Sequence, residues 1–212
     1  MNLTIRNEVP SDYRLVEEIA REAFWNLYCP GCNEHLIIHN MRSHIDFIPE
    51  LAFVIELDQK VVGSIFYTHS KVLLVNGNEQ KTITFGPVSI LPQFHRKGLG
   101  RALITHSIEA AKKLGYQAII IGGYPYHYKT YGFEDSKKYG ISLPDGNYYT
   151  GIMALPLCEG ALDDISGMLY FSDVYETDES NLEAFDKTFP SRIKCIQESQ
   201  KEFELAISEL DK

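Results

Sequence analysis

The sequence predicts an α/β chain of the α+β kind, a mixed central β-sheet flanked by helices. Three observations carry this. Apolar, partly β-branched runs at residues 51–57, 61–72, 83–91, 118–122 and 148–157 have the length and composition of strands. Amphipathic stretches at residues 11–27, 33–44 and 98–114 have the period of helices. The early strands are joined by short turns and should pair antiparallel. The run at 118–122 follows a helix and reads as a buried parallel strand beside 83–91.

Taken in order, residues 3–6 form a short strand candidate. Ser11 is a good N-cap with Asp12 in the first turn. The helix it opens runs to about residue 27, with Leu15, Val16, Ile19, Ala20, Ala23, Phe24 and Leu27 on one stripe. Cys29-Pro30-Gly31-Cys32 breaks it before the second helix. Strands 51–57 and 61–72 meet at Asp58-Gln59-Lys60, and Asn76-Gly77 is a strong hairpin signal leading into strand 83–91. Pro92 stops that strand. Gly98 and Gly100 then open a helical pattern with Leu99, Leu103, Ile104, Ile108 and Ala111 on one face, ending near Leu114 with Gly115 at C′. After strand 118–122 come a break at Gly122-Gly123-Tyr124-Pro125, a short helix at 126–131, Gly132-Phe133, a turn at Pro144-Asp145-Gly146-Asn147 and strand 148–157. Beyond Leu157 the composition turns acidic, with helices expected at 178–189 and 197–210. Residues 1–157 thus read as one domain and 158–212 as an acidic helical extension, which could cover the core, close a homodimer or swing over a pocket.

The totals exclude several function classes. A net charge of −9 argues against general nucleic-acid binding, which needs a basic face. No apolar run reaches the roughly 20 residues of a membrane span, and the N-terminus carries no apolar signal region. A cytoplasmic location is expected, in which the four cysteines would not form disulfides.

The densest chemistry lies between strand 83–91 and the helix after it. Two glycines at a helix start let backbone approach a ligand, and the first amides there lack internal acceptors at the positive end of the dipole. Such a place binds phosphate. Arg96, Lys97 and Arg101 add charge, so residues 95–101 read as a diphosphate cradle. A P-loop is excluded, because Gly-Lys-Ser/Thr is absent. A dinucleotide fingerprint lacks its third glycine, since Arg101-Ala102-Leu103 follows Gly100.

His95-Arg96-Lys97-Gly98-Leu99-Gly100 instead resembles motif A of the GNAT superfamily, (Gln/Arg)-x-x-Gly-x-(Gly/Ala), with His95 at the first position. Tyr128-Lys129-Thr130-Tyr131-Gly132-Phe133 resembles the Tyr-x-x-x-Gly-Phe of its motif B. The resemblance spans roughly residues 3–155, and the whole chain is similar to a bacterial group of predicted N-acetyltransferases in which Trp-Asn-Leu-Tyr, here 25–28, recurs. It implies the GNAT fold, its mixed sheet splayed between strands 83–91 and 118–122, with the cofactor in the splay. It implies acetyl-CoA as co-substrate, no metal, and transfer to the amine of an unidentified small-molecule or protein acceptor. Backbone at Val88, Ser89 and Ile90 would pair with the pantetheine arm and polarise the thioester. The loop His95, Arg96, Lys97, Gly98, Leu99, Gly100 and Arg101 would hold the pyrophosphate. Tyr128 would protonate the departing sulfur, a role its chemistry suits, because a phenol with pKa near 10 can serve a thiol near 8.5. Phe24, Trp25 and Tyr28 would wall the acceptor pocket; packing in the core is the other role open to those rings. A non-catalytic acyl-CoA-binding or sensing module is the alternative function.

Two further points are open from sequence. Cys29-x-x-Cys32 with His35 and His39 has zinc-ligand types, but the histidines belong to an amphipathic helix and no second Cys pair exists, so a Pro-Gly turn between helices is the plainer reading. No general base is assignable: strand 82–88 carries no acidic residue, leaving His44, Asp46, Glu50, His69 or a water chain.

Overall fold

The structure, a computed structural model, describes residues 2–211. Its strands form one mixed sheet. β1 (Leu3–Asn7), β2 (Phe53–Leu57), β3 (Lys60–Leu74) and β4 (Glu79–Ile90) run antiparallel in chain order. Asp58 and Gln59 turn β2 into β3 with φ of 49° and 64°, the left-handed pair that suits a two-residue hairpin. The Asn76-Gly77 turn joins β3 to β4 as the sequence predicts.

Helix α1 (Tyr13–Phe24) is shorter than its periodicity suggests, because Trp25 leaves helical space at ψ 118° and Asn26 takes φ 61°. Helix α2 (Glu34–Met41) likewise stops short of residue 44. Helix α3 (Leu99–Lys113) crosses from β4 to β5 (Ala118–Gly122), which lies parallel to β4. A single turn, α4 (Pro125–Tyr128), comes next, then the two-residue strands β6 (Glu134–Asp135) and β7 (Ile141–Ser142), and β8 (Ile152–Pro156) antiparallel to β5.

The segment after Leu157 is not helical throughout. β9 (Gly167–Tyr170) pairs with Lys71 to Leu74 of β3 and with β7, so the extension returns to the sheet before α5 (Glu179–Asp186) and α6 (Glu198–Ser208). Four residues are too few to show a period, which is why the sequence does not announce this strand.

The sheet is covered on both faces. On one, Leu99, Leu103, Ile104 and Ile108 of α3 pack on Ile55, Ile65, Tyr67, Ile83 and Ile119. On the other, Val16, Ile19, Ala20, Ile38 and Met41 of α1 and α2 pack on Val54, Val61 and Phe66. Each valine, leucine, isoleucine, phenylalanine or methionine so buried contributes about 1.5–3 kcal/mol.

Helix α5 docks on the α1–α2 pair through one carboxylate. Asp186 accepts from Arg21 Nε at 2.7 Å and Nη2 at 3.2 Å. His35 is fully buried, with Nδ1 3.5 Å from Cys32 Sγ and Nε2 3.2 Å from Asp186 Oδ1 but not aligned for a hydrogen bond. Its ring lies against Phe185 and Phe189 at 5.5 and 5.1 Å. Burial pushes His35 down to about 4, so the imidazole is neutral in the fold. The unfolded chain, with the ordinary 6.5, takes the proton first. Stability from this site is therefore present above about pH 6.5 and lost as pH falls toward 4, on the order of 3 kcal/mol in all. Denaturant melts across that window should show this slope, and His35→Gln should flatten it.

Candidate active site

β4 and β5 share one residue pair, Ile83 with Ile119. Thr84 Oγ1 still donates to Ile120 O at 2.8 Å, and beyond that point the strands part. The cause lies in β4. Its register with β3 jumps from Tyr67–Phe85 to Ile65–Val88, so Gly86 and Pro87 stand opposite Phe66 alone. This bulge bends β4 away from its neighbour.

The bulge leaves backbone exposed inside the wedge, and the ladder decides which groups. Leu91 N–H donates to Val62 O, so Leu91 and, two residues earlier, Ser89 turn their backbone toward β3. Val88 and Ile90 turn theirs into the wedge. Ser89 is thereby removed from the expected ligand edge, and its side chain is paired with Ser64 at 2.8 Å in the interior. The Ile90 carbonyl is also engaged, by His95 Nε2–H at 2.7 Å. That bond assigns His95 to holding the loop against the end of β4. The groups left free are both backbone groups of Val88 and the N–H of Ile90.

The loop after β4 delivers a helix start to the mouth of the wedge. Gly98 is the N-cap at φ +80°. A Cβ added there meets no atom within 4 Å, so the backbone angle demands the glycine and the space outside it is open. The first helical bond runs from Ala102 N–H to Gly98 O, leaving the amides of Leu99, Gly100 and Arg101 without helical acceptors. Leu99 is 5% exposed and anchors the turn in the core, so only its backbone is available. Arg96, Lys97 and Arg101 are exposed and in no ion pair among the described residues, and Lys97 lies over the Phe94 ring at 5.1 Å. Beside them a groove of about 350 Å³ is lined by Arg101, Thr105, Ile108, Glu109, Lys112, Thr130, Tyr131 and Leu155, with Lys112 paired to Glu109 at 2.8 Å.

Tyr128 closes the wedge from the other side. Its ring packs on Phe85 of β4 at 5.7 Å and on Phe133 at 5.9 Å. It lies so close over Gly123 that an added Cβ would stand 2.4 Å from Tyr128 Cε2. The sequence marks Gly123 only as a chain break, whereas its lack of a side chain is what seats the tyrosine. Burial, then the neighbouring Tyr131, pushes the Tyr128 phenol up to about 12, so it stays protonated at neutral pH. No described residue hydrogen-bonds its hydroxyl. Tyr131 faces the groove beside Arg101 instead.

The three aromatic residues assigned to the acceptor wall separate. Tyr28 stacks on Phe203 at 4.2 Å, and its phenol is raised by burial and then by Tyr128 and Tyr124. Phe24 is buried and packs on Tyr28 at 5.8 Å. Trp25 does not reach the wall. Its Nε1–H donates to Ile193 O at 3.0 Å, and Arg21 and Arg192 lie over its ring at 4.2 and 5.5 Å, so it docks the C-terminal segment. Nor do the four zinc-type residues converge. His39 meets Glu17 at 2.9 Å, Cys29 is exposed, and Cys32 and His35 serve the α5 contact. Among the described residues the group of possible metal ligands is a different one, His44, Asp46 and Asp173. Burial pushes the Glu34 carboxyl at the start of α2 up to about 7, and a lone glutamate after an asparagine carries no local signal of that.

The model of the acetyltransferase (GNAT) family matches residues 21–133, more than half of the chain. The uncharacterized N-acetyltransferase YhbS of Escherichia coli is 22% identical over 172 residues, covering 81% of this chain and 97% of YhbS. The crystal structure of E. coli YhbS in complex with CoA superposes with a TM-score of 0.73 at 18% identity, over 84% of this chain and 93% of that one. A GNAT family acetyltransferase from Brucella melitensis in complex with acetyl-CoA gives 0.67 at 20% identity, over 82% and 99%. The chain belongs to the acetyltransferase (GNAT) family, whose members are acyl-CoA-dependent N-acetyltransferases, and its fold is the one the sequence predicts.

Because Gly123 and Tyr128 occupy one space, Gly123→Ala should destabilise by about 1–3 kcal/mol through overpacking. A double-mutant cycle with Tyr128→Ala should recover most of that loss in denaturant melts. Independent, additive costs would show that the ring is not held by this contact.

Proposed function

We propose that this chain transfers an acetyl group from acetyl-CoA to a primary amine by direct attack, with Tyr128 as the general acid. The observation that carries this is the wedge itself: a free β4 edge, an uncapped helix start and a protonated phenol face one opening. The CoA and acetyl-CoA complexes of the E. coli and Brucella proteins support the same use of that opening.

The residues fit such a co-substrate. The amides of Leu99, Gly100 and Arg101 would hold the pyrophosphate, with Arg96, Lys97 and Arg101 as counter-charge. Val88 N–H and C=O would pair with the amide groups of the pantetheine arm, continuing the sheet, and Ile90 N–H would add a donor. Acetyl-CoA supplies the acyl group as a thioester. Tyr128 is always loaded with its proton, and gives it to sulfur as the carbon–sulfur bond breaks. The tyrosyl oxygen then recovers a proton from the nitrogen that has become an amide, so the acid is reset within one turnover.

Two variants test this. An added Cβ at Gly100 sits 3.8 Å from Ile90, an ordinary contact, so Gly100→Ala should leave stability equal or slightly higher. The methyl lies where phosphate approaches, and CoA affinity by calorimetry should fall at least tenfold, about 1.4 kcal/mol. Tyr128→Phe should keep CoA affinity and lose roughly 10²–10⁴ in kcat. Unchanged CoA binding in Gly100→Ala would move the cofactor elsewhere; full turnover in Tyr128→Phe would give the proton to water.

A further inference from the structure

The bulge that opens the wedge is bracketed by hydroxyl groups on the α1–α2 face of the sheet. Ser64, Phe66, Thr68 and Ser70 of β3 alternate onto that face. On one side of the bulge Ser64 meets Ser89, and on the other Ser70 meets Thr82, both at 2.8 Å. At the bulge itself the hydroxyl comes from elsewhere in the chain. Gly86 has no Cα partner in the β3–β4 register, and the Tyr175 hydroxyl donates to its carbonyl at 3.3 Å. The same oxygen lies 3.1 Å from Thr68 Oγ1. With its one proton given to Gly86, the phenol accepts from the threonine. Burial pushes the Tyr175 phenol up to about 12, against the pull of Thr68, so it keeps the proton it donates.

Tyr175 belongs to the C-terminal segment, outside the residues 21–133 that the family model matches. It sits on a single turn that is fixed from three sides. Behind it, β9 is paired with β3. Within it, Ser172 Oγ accepts the Val174 N–H and Ser172 O the Tyr175 N–H, both at 3.4 Å. Beside it, His44 Nε2 lies 2.9 Å from Asp173 Oδ1 and Nδ1 3.4 Å from Ser172 Oγ. Val174 is buried in the α1–α2 cluster, and the Tyr175 ring packs against the same cluster. The phenol therefore reaches Gly86 from a fixed base.

We propose that Tyr175 is a positioning residue for the co-substrate: its hydroxyl holds the Gly86 carbonyl and thereby sets the direction in which Val88 offers its backbone to the pantetheine arm. This rests on the acetyl-CoA reading above. Only Pro87 separates the held peptide from Val88, and its locked φ passes the orientation on with little slack. From Ser89 onward the chain has its own bonds to β3, through Ser64 and Val62, and α3 is seated in the core by Leu99. The helix start that would hold the pyrophosphate therefore keeps its place without the phenol. Arm and diphosphate should respond differently to its loss.

The test compares Tyr175→Phe with the native full chain. Each is titrated calorimetrically with CoA and with ADP, which carries a diphosphate without the pantetheine arm, and amide exchange is followed with and without CoA. Tyr175→Phe keeps the ring and loses one hydroxyl. Its CoA affinity should fall roughly tenfold or more while ADP affinity stays within about twofold. CoA should protect the Val88 amide less than in the native chain and the Gly100 amide equally. Thr68→Val, which removes the hydroxyl that donates to the phenol, should give the same pattern in weaker form, and it decides the question if Tyr175→Phe does not fold. Unchanged CoA affinity, or equal losses for CoA and ADP, overturns the proposal, because a residue that only stabilises the fold does not distinguish the two probes. CoA that binds the native chain without protecting Val88 overturns the acetyl-CoA reading itself. With Val88 protected in the native chain, the variants bear on Tyr175 alone.

Discussion

A single pair, Ile83 with Ile119, joins the two halves of this sheet, and the candidate site exists because that pair stands alone. Had β4 and β5 stayed paired, every backbone group of Val88 and Ile90 would be spent on the ladder. The bulge at Gly86-Pro87 prevents that. It turns residues 88–90 out of the sheet while their β3 pairing persists, so the strand keeps one satisfied edge and offers the other. The same bend carries the start of α3 to the mouth of the wedge, where His95 fixes the loop to the last free carbonyl of β4. Helix start and strand edge are thus one construction.

The α1–α2 face of the sheet is held by different means. Arg42, almost buried, reaches both Glu8 and Glu17, and its guanidinium lies over the Tyr13 ring at 4.1 Å. Removing one member of such a network strands a buried charge and costs about 3–5 kcal/mol. This fixes α1 and α2 as a unit, and Asp186 then attaches α5 to it. From there the chain passes Trp25 and roofs Tyr28. The C-terminal segment is therefore packed onto this side of the molecule, with Phe203 stacked on Tyr28 at 4.2 Å.

Much of this was legible in the sequence, for identifiable reasons. The strand, Gly98-x-Gly100 and the amphipathic stripe of α3 are local signals, and each appears where the residues place it. Tyr128 stood out because it opens the motif that ends at Gly132-Phe133. The hidden features depend on partners distant in sequence. Ser89 looks equivalent to Val88 until the β3 register shows which edge each presents. Trp25 and Tyr28 share a segment, yet one turns to Ile193 and the other to Phe203, because Asn26 at φ 61° divides them. β9 lacks the length to show a period, and Glu34 owes its state to burial that only the fold creates.

Amide hydrogen exchange with and without CoA tests the central claim most directly, since the wedge account names individual backbone groups. CoA should protect Val88, Ile90, Leu99, Gly100 and Arg101, while Ser89, already bonded to β3, should change little. Protection confined to other surfaces, such as the hollow lined by Tyr139, Leu162 and Ser166, with no change at Val88 or Gly100, would contradict the account.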